Sequence, residues 1–164
     1  MSHDVRSKGL MISMLVIATT LTACAGSGGQ RVADGQAARQ ITAASQCGFT
    51  EPGLVYMDSR ERLEEVTGTR GMNLTAMGDH DFSREHLLLV AAGRKPSGGY
   101  GVRLESGRLE GSVLALSMTL RTPSPDQMVT QALTSPCAVV AVAAEGWQTV
   151  RVTGSGMPEL SLER

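Results

Sequence analysis

Apolar and polar positions alternate along this chain in two different ways. His86 to Ala92 is a near-unbroken apolar run of strand length, and Cys137 to Ala143 is a second. Such continuous runs fit strands buried on both faces. Tyr100, Val102 and Leu104 instead alternate with Gly101, Arg103 and Glu105, and Leu114, Leu116, Met118 and Leu120 alternate with Ala115, Ser117, Thr119 and Arg121. A period of two predicts strands with one face in a core. Gly53 to Met57 is a shorter strand candidate, and Glu145-Gly146 predicts a hairpin turn from Cys137–Ala143 into a strand over Trp147–Val152. One helix is expected, over Ser59 to Val66. Asp58 and Glu61 have capping-box spacing, Leu63 and Val66 share one side, and Gly68 can end it.

The connections read from their punctuation. Ser106-Gly107 and Glu110-Gly111-Ser112 look like turns, and Gly68 to Asp79 a loop. Thr122 to Pro136 carries Pro123, Pro125 and Pro136 and reads as a structured loop, while the tail from Thr153 has no strong signal. Between the two central strands lies Gly93-Arg-Lys-Pro-Ser-Gly-Gly99. Pro96 fixes its own φ there, and Gly98-Gly99 permit conformations and close approaches that a Cβ resists. The fold expected is mainly β: packed antiparallel strands, sandwich- or barrel-like, with one short helix.

The first residues change the picture of where this domain works. Arg6 and Lys8 precede the apolar stretch Leu10 to Leu21, followed by Leu21-Thr22-Ala23-Cys24 and then Ala25-Gly26-Ser27-Gly28-Gly29. A basic start, an apolar stretch too short to span a bilayer and a small-residue exit form a bacterial secretory signal. Leu-Thr-Ala-Cys resembles a lipobox. The resemblance implies cleavage after residue 23, acylation of Cys24 and a lipid-anchored cell-envelope protein. Ala25, which is not an aspartate, favours the outer membrane where the cell has one. Residues 24–44 read as a flexible tether poor in apolar side chains, and 45–164 as the folded domain.

Removing 23 of the 164 residues leaves 141, enough for one real core, with 13 basic and 15 acidic side chains and a net charge of −2. That balance gives no reason to expect nucleic acid; the membrane partner is reached through lipid at Cys24. Cys47 and Cys137 remain. Outside the cytoplasm such a pair is expected to form a disulfide, with two reduced thiols as the alternative, since spacing does not give distance.

No catalytic constellation and no cofactor motif stands out. Asp79-His80-Asp81 with Glu85-His86 has metal-binding residue types, yet a strand entering at His86 sends neighbours to opposite faces. The stretch reads as a charged turn and not a metal site. There is no Gly-x-Ser-x-Gly, and the glycine loop at 93–99 lacks the Lys-Ser/Thr pair and following helix of a phosphate loop. Lys95, the only lysine after the signal, stands beside Arg94 on this loop, where a basic pair can meet a partner or simply stay in water.

Asp81-Phe82-Ser83, Val90-Ala91-Ala92-Gly93 and Lys95-Pro96-Ser97-Gly98-Gly99-Tyr100, followed by Pro123-Ser124-Pro125 and Val129-Thr130-Gln131-Ala132-Leu133-Thr134-Ser135-Pro136, resemble the C-terminal domain of the protease complex subunit PrcB family. The resemblance runs from roughly Gly53 to Val152. Ser97 stands where the pattern has Thr, Asp126 where it has Gly, and Cys137 where it has an aromatic. The family's namesake is a lipoprotein that associates with and stabilises a surface protease. The resemblance therefore implies a non-enzymatic accessory subunit that binds another protein, a protease foremost. Lys95, Pro96, Ser97, Gly98 and Gly99 are its expected partner-binding loop, and Thr130, Gln131 and Thr134 belong to a second loop. Two other readings stay open. One is a protease inhibitor presenting the Pro96–Gly99 turn, similar in loop chemistry alone to Ig-like cysteine-protease inhibitors. The other is a small-ligand binding module of the envelope.

Overall fold

A computed structural model describes residues 37–69 and 77–164. The signal and Cys24 lie outside the described residues, as does most of the Gly68–Asp79 loop. Eight strands and one helix follow in order: β1 (Ala38–Ala44), β2 (Pro52–Met57), α1 (Arg60–Gly68), β3 (Glu85–Ala92), β4 (Gly101–Glu110), β5 (Val113–Arg121), β6 (Cys137–Ala143), β7 (Thr149–Ser155) and β8 (Leu160–Glu163). They form two four-stranded sheets, ordered β1-β6-β3-β2 and β4-β5-β7-β8.

The two continuous apolar runs are the two inner strands of the first sheet, β6 and β3, and each serves two cores. Leu88, Val90, Ala138, Val140 and Val142 face the second sheet, meeting Leu114, Leu116, Met118, Val150 and Val152. Leu87, Leu89, Ala91, Val139 and Ala141 face the other way, under Leu63 and Val66 of α1 with Met57 and Met77. The layers are therefore helix, sheet, sheet. This is why β3 and β6 show no polar alternation, whereas β5, with one face toward water, does. Ser59 caps α1, its Oγ accepting from the Arg62 amide at 3.3 Å, so the cap falls one residue after Asp58.

Several expectations are corrected. Ala38–Ala44 is not tether: it pairs antiparallel with β6 from Ala38↔Val142 to Ala44↔Cys137. Its small and polar side chains bury little beyond Ala38 and part of Ile41, so its contribution is backbone pairing together with polar side-chain bonds from Arg39 to Glu85 and from the Leu104 amide to Gln40 Oε1. Small side chains also let the sheets meet here. The Ala37 amide donates to the Gly107 carbonyl at 3.0 Å, and a Cβ on Gly107 would stand 2.5 Å from that of Ala38. Ser106-Gly107 is thus no turn but lies within β4, beside a register shift between Leu104 and Ser106.

The turn at Glu145-Gly146 does not make a hairpin either. It carries the chain from one sheet to the other, because Trp147 (4% exposed) inserts into the core between them, its Nε1 donating to the Ala143 carbonyl at 2.7 Å. β7 then runs parallel to β5, which makes the second sheet mixed. The signal-poor tail completes that sheet, with β8 antiparallel to β7.

Candidate functional site

Three connections leave the same end of the first sheet: residues 45–51 after β1, 93–100 between β3 and β4, and 122–136 before β6. Each is held by the others. Gly93 has φ +73°, and a Cβ there would meet Pro52 N at 2.8 Å. The Arg94 amide next donates to the Thr50 carbonyl at 2.9 Å. Lys95 and Thr134 exchange both backbone hydrogen bonds, at 2.8 and 3.0 Å, and the Gly98 amide donates to the Thr130 carbonyl at 2.9 Å. Thr134 Oγ1 donates to the Ser97 carbonyl at 2.7 Å. The two stretches that the sequence singles out separately are therefore one bonded unit.

Its base is fixed by Ser135 and a disulfide. The Ser135 hydroxyl accepts from the amides of Cys47 (2.9 Å) and Gly48 (2.7 Å), while the Ser135 amide donates to the Ser45 carbonyl at 2.9 Å. Cys47 and Cys137, both fully buried, form the disulfide, with Cα atoms 6.1 Å apart.

Within this unit the sequence-selected residues divide by role. Lys95 and Ser97 are half-buried, and Pro96, Thr130 and Gln131 are exposed. Ser97 Oγ reaches only the neighbouring Gly98 carbonyl, at 3.1 Å. Thr134, 6% exposed, is bonded inward and holds the loops together rather than facing a partner. Gly98 and Gly99 allow close packing: a Cβ on Gly98 would stand 2.5 Å from Thr130 Oγ1, and one on Gly99 (φ +84°) 2.8 Å from Pro123 Cβ. The loop unit also presents two apolar side chains outward that sequence reasoning missed, Met128 at 98% and Leu133 at 61% exposure. The only signal for them was an apolar residue inside a proline-punctuated stretch with no strand period. Between Phe49, Arg94 and Leu133 lies an open cleft of about 140 Å³.

The opposite end of the sheet holds a different cluster. The Tyr56 hydroxyl bonds His86 Nδ1, and Trp147 packs edge-on to Tyr56 with centroids 5.4 Å apart. The Arg164 guanidinium lies 5.2 Å from the Trp147 ring centre and donates to the Ala144 carbonyl at 2.6 Å. Burial, then the Arg164 charge, lowers the His86 pKa below the ordinary histidine value; burial raises that of Tyr56. This cluster closes an end of the core. His80 Nε2 pairs with the Glu85 carbonyl at 2.8 Å and Asp81 with Ser83, so the acidic and histidine residues here do not converge. Among the described residues no three His, Cys, Asp or Glu side chains are arranged to hold a metal.

The class these features define is a disulfide-stapled, two-sheet β domain that presents paired loops at one end. Residues 87–143 match the model of the PrcB C-terminal family. The match runs from β3 to the end of β6 and contains both loops; β1, β2, α1, β7 and β8 lie outside it. No curated protein and no solved structure matches the chain significantly.

Proposed function

We propose that this chain is a non-enzymatic, lipid-anchored cell-envelope protein that binds another protein through its paired loops, as an accessory or stabilising subunit of a protease complex. The observation that carries the reading is the exposure of Met128 and Leu133 on loops otherwise bonded rigidly to one another. Exposed apolar side chains on a preorganised surface favour association, because little conformational freedom remains to be lost on binding. The match of residues 87–143 to the PrcB C-terminal family supports a protease as the partner.

The anchor suits this arrangement. Ala37 enters β1 at the end of the sheet opposite the loops, separated from them by a seven-residue strand, roughly 20 Å. Twelve residues stand between Cys24 and Ala37, which span at most about 43 Å. With lipid at Cys24 as the attachment, the loops can face away from the bilayer. The inhibitor alternative is disfavoured by the half-buried Ser97, whose carbonyl is occupied by Thr134.

A photo-reactive side chain at position 128, in cells expressing the full chain, is expected to crosslink to an envelope or secreted protein. A probe at exposed Arg151, on the second sheet, is expected not to. Absence of any protein adduct at 128 overturns the binding reading. Separately, Cys24→Ser is expected to leave unprocessed, unacylated precursor; a Cys24→Ser variant still carrying lipid overturns the anchor.

A further inference from the structure

The cleft beside the loops has a chemistry of its own. One wall is the β1–β2 connection at Gln46, Gly48 and Phe49; the other is Arg94 with Leu133. At about 140 Å³ it approaches the roughly 150 Å³ of an engineered cavity that holds benzene, so one apolar side chain fills it. It is open to solvent, whereas small-molecule sites bury most of their ligand. A side chain delivered by a larger chain suits it better than a free metabolite does.

Charge then narrows the partner. Among the described residues Arg94 makes no ion pair, and the acids of the surrounding loops, Glu51 and Asp126, make none either. Arg94 lines the cleft, and Lys95 follows it in sequence, on a chain that carries net negative charge. The backbone of Arg94 is fixed by the Thr50 bond, so its guanidinium projects from a rigid point. A guanidinium meets a carboxylate through two parallel hydrogen bonds, which an ammonium cannot imitate.

Resting on the reading that this end of the domain binds protein, we propose that the cleft takes an extended segment of the partner, seating an apolar side chain against Leu133 and an adjacent carboxylate on Arg94.

The test uses the full chain in detergent micelles, followed by amide NMR, with acetylated and amidated pentapeptides as probes. Ser-Ser-Leu-Glu-Ser is expected to shift the amides of 46–50, 94 and 133–135. Its Leu-Lys counterpart should bind at least tenfold more weakly, and an Ala-Glu peptide likewise. Arg94→Glu should invert the Glu-over-Lys preference while leaving the rest of the spectrum in place, which separates lost binding from lost fold. Equal binding of the Glu and Lys peptides, no shifts at millimolar peptide, or Arg94-dependent binding to phosphatidylglycerol vesicles with no peptide effect would each overturn the proposal. Crosslinking from position 128 distinguishes the two readings. If adduct persists undiminished in Arg94→Glu and the peptides fail, the cleft assignment falls and protein binding stands. If position 128 yields no adduct in the unmodified chain, it is protein binding that falls.

Discussion

At the scale of single residues, the loop unit separates side chains that shape it from side chains that are free to vary. Gly99→Ala puts a Cβ 2.8 Å from Pro123 Cβ and forces a side chain to φ +84°. It is expected to cost about 1–3 kcal/mol by denaturant unfolding. Lys95→Ala keeps both backbone bonds to Thr134 and is expected to stay within about 0.5 kcal/mol of the parent in the same measurement. His86 carries a pH dependence. Its folded pKa lies below the ordinary value, so the unfolded chain takes up the proton first and stability is lost as pH falls. The thermal midpoint should hold steady from pH 8 to about 7 and decline below about 6.5, the unfolded histidine value. His86→Gln should flatten that decline; an unchanged profile would show that another group sets it.

At the scale of elements, what the sequence made legible follows what each strand buries. β3 and β6 are unmistakable because both faces are covered, and β5 because one is. β1 escaped because it is an edge strand whose contribution is mostly hydrogen bonding, which leaves no apolar period, and β8 because its alternation of Leu160 and Leu162 with Ser161 and Glu163 spans only four residues. The parallel pairing of β5 with β7 was illegible for another reason. Hairpin chemistry at Glu145-Gly146 is local, whereas the burial of Trp147 that diverts the chain is tertiary. The site was half readable. The loop motifs stand out in the sequence, but not their bonding to each other, nor the outward direction of Met128 and Leu133, since side chains in loops follow no period. One glycine tests the β5–β7 pair. A Cβ on Gly154 would lie 1.6 Å from the Met118 carbonyl oxygen, so the backbones themselves must part. Gly154→Ala is expected to abolish cooperative unfolding or to cost more than about 3 kcal/mol. A variant as stable as the parent would mean that the strands are spaced more widely than described.

At the scale of the whole molecule, the disulfide closes a circuit across 90 residues of sequence and joins the connection after β1 to the first residue of β6. Cys47→Ala with Cys137→Ala is expected to lower unfolding free energy by about 4–5 kcal/mol, the loop-closure entropy such a bridge removes from the unfolded chain. A loss under about 1 kcal/mol would show that the unfolded chain is already compact without it. The bridge also sets how the molecule bears tension. A pull between a held N-terminus and a partner gripping the second loop runs lengthwise along β1 and β6, loading their hydrogen bonds together in shear rather than one after another. Should β1 yield, the slack ends at Cys47, and the force crosses the covalent bridge directly to Cys137, beside Pro136 at the foot of that loop. β2, α1 and β3 lie inside the bridged circuit and off the load path, so under strain the domain lengthens by one strand while β3, packed on both faces, stays in place.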